Sequence, residues 1–312
     1  MKWSIQTGGL MALQASSRNT QLHELVQQYR KVKRRVMRRS EGEVFLRRRY
    51  FKIHGKPLNL SNPRTFTEKL FWRMVTWNRG DIPSRFTQLA DKYAVRQYVA
   101  NVVGEEYLVK LLWHGDDPRA IPFDALPAKY VIKPTHAAGR VIIVKGQADR
   151  ENIIRRLSEW LADNYYWGGR EAQYYNIPPR IVIEEYLSND DGAELFDYKF
   201  CCFNGMPEQI IVRNETHDIC PIFDTAWNLL DLEDEEGAVR PQVPKPANLE
   251  EMTALAAKLS VGFGFVRVDL YNVNGRVYFG ELTFTPAGGI LKYNPECWDL
   301  MLGEKWNLSL DR

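Results

Sequence analysis

The stretch Phe265–Gly289, FVRVDLYNVNGRVYFGELTFTPAGG, limits the possible folds more than any other part of the chain. Val266, Val268 and Leu270 alternate with Arg267, Asp269 and Tyr271, the period-two pattern of a half-buried strand. Asn272-Val273-Asn274-Gly275 supplies a turn, because Asn and Gly tolerate the positive φ of tight hairpins. The second arm puts Phe279, Glu281, Thr283 and Thr285 on one face and Tyr278, Gly280, Leu282 and Phe284 on the other. With an odd-numbered turn, Asp269 and Glu281 then share a face. Asp and Glu are poor strand residues on a scale of about 1 kcal/mol, and neighbouring carboxylates repel. A divalent cation reverses that balance, since Mg²⁺ takes one or two carboxylates and completes its shell with phosphate oxygens and water. A solvated hairpin face is the plain alternative. Arg267, able to hold a phosphate or carboxylate bidentately, and the Thr-Pro-Ala-Gly-Gly turn after the second arm favour a site.

The 312 residues can bury a sizeable core, and two or three lobes fit that length. The net charge of +3 excludes little, but its distribution is uneven. Ser17–Lys52 reads as a basic helix. Arg30, Lys31, Lys33, Arg34, Arg35, Arg38 and Arg39 precede Arg47, Arg48, Arg49 and Lys52, opposed by Glu41 and Glu43. Such a patch suits an anionic polymer or membrane surface; with no nucleic-acid-binding motif beside it, nucleic acid ranks lower, and a solvated helix is the plain alternative. Cys201, Cys202, Cys220 and Cys297 lack zinc-ligand spacing and read as buried free thiols. No apolar run reaches the length of a membrane span. The polar Gln6, Thr7 and Gln14 argue against a signal peptide. The expected location is cytoplasmic, with a peripheral position at the inner membrane face as a variant that the basic stretch would suit.

Further along, Thr65-x-x-Glu68 forms a capping box before an apolar run, and Asn248-x-x-Glu251 repeats that signal. A helix is expected around Ala90–Val103, with Asp91-Lys92 near its start. Tyr130-Val131-Ile132 and Val141–Val144 read as strands flanking a loop of small residues, with Lys133 where the first strand meets it. A lysine there, beside backbone N–H groups that can approach closely, suits phosphate, although this is not a P-loop. Arg180–Leu187 and FDYKFCCF (Phe196–Phe203) are strands, with Asp197 and Lys199 on one face of the latter.

In this order, NPRTFTEKL, ADKYAVRQYV, KYVIKPTHAAG, PRIVIEEYL, DYKFCCFNG, FVRVDLYNVNG and YFGELTFTPAGG resemble the TupA-like ATP-grasp family associated with teichuronopeptide biosynthesis. The resemblance runs from about Asn62 to Trp306 and implies an α+β ATP-grasp fold, in which two α+β subdomains clamp ATP. It divides the chain into a basic helical extension (1–60), an N-terminal lobe (61–128), a first subdomain with phosphate loop and hinge (129–188) and a second with the metal-binding hairpin (189–312).

Carried onto this sequence, the resemblance implies that Lys92 and Lys133 contact the nucleotide phosphates beneath a loop containing His136, Gly139 and Arg140. Glu184, Glu185, Tyr186 and Leu187 would form the adenine hinge, and Asp197 and Lys199 would face ribose and phosphates, Lys199 with a catalytic part. Asp269 and Glu281 would hold Mg²⁺, joined by Thr283 where the wider superfamily commonly has Asn. Arg267 would stabilise the transferring phosphate. The implied activity is ATP-dependent ligation of a carboxylate to an amine through an acyl phosphate, with a small-molecule or cell-envelope glycan carboxylate and an amine donor as partners. A kinase acting on a hydroxyl, a glycosyltransferase and a non-catalytic glycan-assembly protein are the alternatives.

Overall fold

The computed structural model describes residues 42–216, 218–233 and 239–311. Two antiparallel sheets dominate them. The smaller has strand order β1-β4-β2-β3, from β1 (Leu111–Gly115), β2 (Lys129–Pro134), β3 (Ile142–Lys145) and β4 (Ile181–Glu185). The larger runs β7-β6-β5-β8-β9, from β5 (Asp197–Phe203), β6 (Met206–Arg213), β7 (Ile222–Asp224), β8 (Phe265–Val273) and β9 (Arg276–Thr283).

Alternation sets which face of each strand is buried. In β2, Tyr130 and Ile132 enter the core of the smaller sheet, under Ile153 and Leu157 of a helix spanning Arg150–Leu161, while Val131 and Lys133 face the other way. In the larger sheet, Tyr198, Phe200, Val266, Val268 and Leu270 bury one face against the helix Leu249–Leu259. The opposite face is apolar only at one end. There Phe203 and Phe265 meet Phe66 and Trp306. Its other end carries Asp197, Lys199, Arg267 and Asp269.

The helix Phe66–Asn78 starts with the expected capping box of Thr65 and Glu68. From it, Arg73, wholly buried, donates to Phe284 O at 2.8 Å, Phe265 O at 2.9 Å and Asp311 Oδ1 at 2.8 Å. It thereby ties both arms of the hairpin to the chain's last described residue.

Several expectations need correction. β1, within residues 61–128, pairs with β4 inside the smaller sheet. The expected Ala90–Val103 helix is broken: one helix covers Ser84–Ala90 and another Val95–Val102. Between them buried Asp91 accepts from the Tyr93 and Ala94 amides, at 2.8 and 3.3 Å. Asn248 does not cap its helix. It accepts from Asn272 Nδ2 at 2.7 Å and donates to Gly275 O at 3.0 Å, anchoring the hairpin tip. Of the basic N-terminal stretch, Gly42–His54 is helical, and Arg30–Arg39 lie outside the described residues. The four cysteines are free, three of them buried, but Cys297 is exposed.

Candidate active site

The β8–β9 hairpin turns at Asn274-Gly275, with φ of 51° and 77°, so Val273 pairs with Arg276. An even-numbered turn alone would set Asp269 opposite Gly280. The register shifts by one between Asp269 and Leu270, and Asp269 instead pairs with Glu281 while Leu270 pairs with Phe279. Gly280 is the extra residue of a β-bulge, which bends the strand and re-aims side chains. Phe279, expected beside Glu281, therefore falls into the core. The expected carboxylate pair exists, but the bulge makes it.

Each carboxylate is met by cations. Arg267 forks across Asp269, with Nε to Oδ1 and Nη2 to Oδ2 both at 2.7 Å, and Lys199 Nζ donates to the same Oδ2 at 2.9 Å. Lys199 also bonds Asp197, whose other oxygen, Oδ1, is buried without a donor. Lys92 Nζ donates to Glu281 Oε2 at 3.2 Å. Burial pushes the Glu281 carboxyl up, but Lys92, Arg267 and Lys199 outweigh it and pull it down to about 2. Burial also pushes Asp197 up, and Lys199 only partly offsets this. Lys199 itself loses to burial but is held above the usual lysine range by Asp197 and Asp269.

The smaller sheet contributes from the other side. Lys133 Nζ donates to Glu184 Oε2 at 2.9 Å, and Arg96 donates to Glu184 Oε1 at 2.9 Å. Burial opposes the Lys133 charge, but Glu184, with Glu281 and Asp197 at longer range, raises its pKa. The two sheets thus share one electrostatic environment. Lys92 is tied to the same strand end, since its amide donates to Thr135 O at 3.3 Å.

For Mg²⁺ the donor set fits. Two hard carboxylates on one face, one of them held ionised and both already drawing cations, suit an ion that takes one or two carboxylates. Thr283 fits less well as a ligand: its hydroxyl accepts from Arg267 at 3.1 Å and donates to Glu281 Oε1 at 3.2 Å, so it orients both.

The small-residue loop is held by its own side chains. His136 is 2% exposed, and its Nε2 lies 3.1 Å from the carbonyls of both Trp160 and Asp163. Arg140 pairs with Asp163 and reaches Trp160 O at 3.3 Å. Both side chains fasten the loop to the end of the helix Arg150–Leu161. Gly139 keeps the loop's positive φ of 67° with open space beside it. At the end of β4, the Glu184 side chain meets Lys133 and Arg96. Glu185 is exposed and its amide is committed to Lys110 O at 3.0 Å. Tyr186 and Leu187 follow, with Lys145 Nζ 4.7 Å from the Tyr186 ring.

A family model for TupA-like ATP-grasp proteins matches residues 68–307. The chain belongs to that family. No curated protein matches it. Among solved structures, D-alanine–D-alanine ligase from Bacillus anthracis complexed with ATP is 19% identical, covering 64% of this chain and 54% of its own, with a TM-score of 0.38. A RimK domain ATP-grasp protein from Sphaerobacter thermophilus DSM 20745 is 12% identical over 70% of this chain and 67% of its own, at 0.43. The ATP-grasp ligase PsnB, complexed with a phosphomimetic variant of its minimal precursor, Mg and ADP, is 13% identical over 76% and 66%, at 0.39. The chain spans about half the length of the D-alanine–D-alanine ligases it matches.

Around these residues lie others that the sequence did not single out. Tyr271, two residues past Asp269, has its phenol raised well above the usual range, first by Asp197 and then by burial, with Glu281, Asp269 and Glu184 adding to it. Arg96 is the second cation on Glu184. Behind the hairpin, buried Glu171 accepts from the Thr285 hydroxyl at 2.5 Å, and Gln173 Nε2 donates to the same hydroxyl at 2.6 Å. A strand-adjacent Asp, Tyr or Glu carries no local mark of these partners, which come from distant segments.

Proposed function

We propose that this protein is an ATP-dependent carboxylate–amine ligase whose substrates belong to a cell-envelope glycan or its precursor. The observation that carries the ligase reading is the convergence of Lys92 and Lys133 with the Asp269–Glu281 pair, with Arg267 between that pair and open space on the same sheet face. The glycan rests on the family alone.

In this reading Lys92 and Lys133 bind the nucleotide phosphates, and Tyr186 and Leu187 meet adenine through their backbone. Asp197, with its undonated oxygen, and Lys199 face ribose and phosphates. Asp269 and Glu281 would hold Mg²⁺, which would supply neutralisation of the phosphate charge. A carboxylate resists amines because its leaving group is poor. Transfer of the γ-phosphoryl group from ATP gives an acyl phosphate and ADP; the amine then attacks the carbonyl carbon, phosphate leaves, and the amine loses a proton. Arg267 is placed to offset charge that builds on the transferring phosphoryl oxygens. Its guanidinium stays protonated, since Asp269 and Glu281 outweigh the burial that opposes its charge.

The basic stretch Arg30–Lys52 would rest against an anionic polymer or membrane surface. In its described part, Arg47 pairs with Glu43 and Arg49 donates to Gly169 O at 3.3 Å.

The test is ADP release with Mg²⁺-ATP and pairs of a uronic acid with an amino acid. The ligase reading expects release that needs both partners, with free phosphate and an amide as products. Release that ignores the amine, with phosphate retained on the acceptor, would replace it with a kinase.

A further inference from the structure

The helix Gly42–His54 has two unlike faces. Leu46 and Tyr50, one turn apart, are wholly buried against Phe71, Met74 and Val75 of the helix Phe66–Asn78. Beside them Arg49 turns inward, and its Nη1 donates to Gly169 O at 3.3 Å. Its Nη2 lies 3.9 Å from where a Cβ on Gly288 would stand, in the turn that follows the β8–β9 hairpin. The inner face thus touches a support of the candidate site.

The outer face is formed by Arg47, Arg48, Phe51 and Lys52. At about 3.6 residues per turn, Phe51 falls between Arg47 and Arg48, with Lys52 beyond Arg48. Phe51 is 58% exposed. Arg48 and Lys52 are exposed and make no ion pair among the described residues. Arg47 has a partner: it shares Glu43, at 2.9 Å, with Arg79, at 2.7 Å. One carboxylate against two guanidiniums still leaves that corner positive. A single exposed phenylalanine is ordinary on a protein surface. One set among cations on a helix is the pattern of an interfacial helix.

Charge alone suits any polyanion. The ring separates the candidates. A soluble acidic polymer meets the cations and leaves Phe51 in water. The surface of an anionic bilayer offers headgroup charge to the cations and the acyl boundary to the ring. Either signal alone attaches a protein weakly, and the two together hold it. The sequence before the helix carries the same sign, with seven basic residues and no acid in residues 30–39.

We propose that the outer face of Gly42–His54 docks on an anionic membrane surface. The helix lies along that surface, with Phe51 in the acyl boundary and Arg48, Lys52 and the Arg47–Glu43–Arg79 corner among the headgroups. The turn after the hairpin then lies about one helix diameter, 10 Å, from the headgroups. This docking needs no nucleotide and stands apart from the ligase reading.

The test is co-sedimentation of the full chain with vesicles of phosphatidylcholine alone and of phosphatidylserine and phosphatidylcholine in equal parts. It is run on the wild type, on Phe51→Ser and on Arg48→Glu with Lys52→Glu. These positions are exposed, so the variants should keep the wild-type melting temperature. The wild type binds the serine-containing vesicles and not the neutral ones. Phe51→Ser, which keeps every charge, weakens that binding about tenfold, and the double charge reversal weakens it by more than tenfold. No binding of the wild type to the anionic vesicles overturns the proposal. So does vesicle binding that Phe51→Ser leaves unchanged, which would make the face a general polyanion site. Polyglucuronate bound equally by the wild type and Phe51→Ser, with vesicles ignored, would assign it to an acidic polymer instead.

Discussion

Asp269 faces Glu281 across the hairpin because Gly280 is extra, not because the turn sets that register. A Cβ built at Gly280 would lie 3.0 Å from Asp269 O and 3.1 Å from the Tyr271 ring. Gly280→Val should therefore strain the bulge at the point that aims both carboxylates. The expected loss is about 1–3 kcal/mol, the range for overpacking, measured by urea denaturation. The Mg²⁺-ATP thermal shift should shrink with it, and an unchanged shift would show that the bulge does not position the pair.

Arg73 and Asp311 form a buried pair at 2.8 Å, with Trp306 Nε1 also donating to Asp311 at 2.7 Å. Arg73→Met leaves Asp311 charged in the core and should cost about 3–5 kcal/mol, whereas Arg73→Met with Asp311→Leu should recover part of that. Denaturation midpoints of the single and double variants decide the matter. Equal midpoints would mean that Arg73 acts mainly through the Phe265 and Phe284 carbonyls.

Glu171 should make stability depend on pH near neutrality. Burial, reinforced by the Glu281 charge, raises its carboxyl from 4.5 to about 7, against the Thr285 hydrogen bond and Arg49. The folded state then holds the proton more tightly than the unfolded chain. Its contribution is present below the unfolded value and is lost as pH rises through 7. Glu171→Gln stays neutral and still accepts from Thr285, so its melting temperature should gain on the wild type from pH 5 to pH 8, by up to about 3 kcal/mol in stability. A difference that stays flat over this range would contradict the shift.

His136 should matter for stability and not for nucleotide. His136→Gln removes the ring that joins Trp160 O and Asp163 O, at a cost of about 1–2 kcal/mol, while KM for ATP stays within about twofold of wild type. A larger rise in KM would restore the phosphate-loop role.

The sequence made the centre of this site legible because its residues break a local rule. Asp269 and Glu281 are carboxylates in strands, Lys133 is a charge at the end of an apolar strand, and Asn274-Gly275 marks the turn. Two features were beyond it. Period-two alternation cannot register an inserted residue, so it predicts the wrong face for Phe279. Partners from distant segments leave no local trace either. The carbonyls ending the helix Arg150–Leu161 need donors, and which donors arrive depends on where that end lands. His136 and Arg140 satisfy them here, although a His and an Arg among small residues look like an anion loop. β1, LLWHG, is not legible in the sequence because its residues show no clean alternation and its strand character comes from pairing with β4.

The most direct test of the central claim is the thermal shift produced by Mg²⁺-ATP on the wild type, Asp269→Asn and Glu281→Gln. The account predicts stabilisation of the wild type that is lost in both variants, because each replacement removes one of the two charges opposite each other on β8 and β9. Stabilisation that survives in both would place the nucleotide elsewhere and contradict the account.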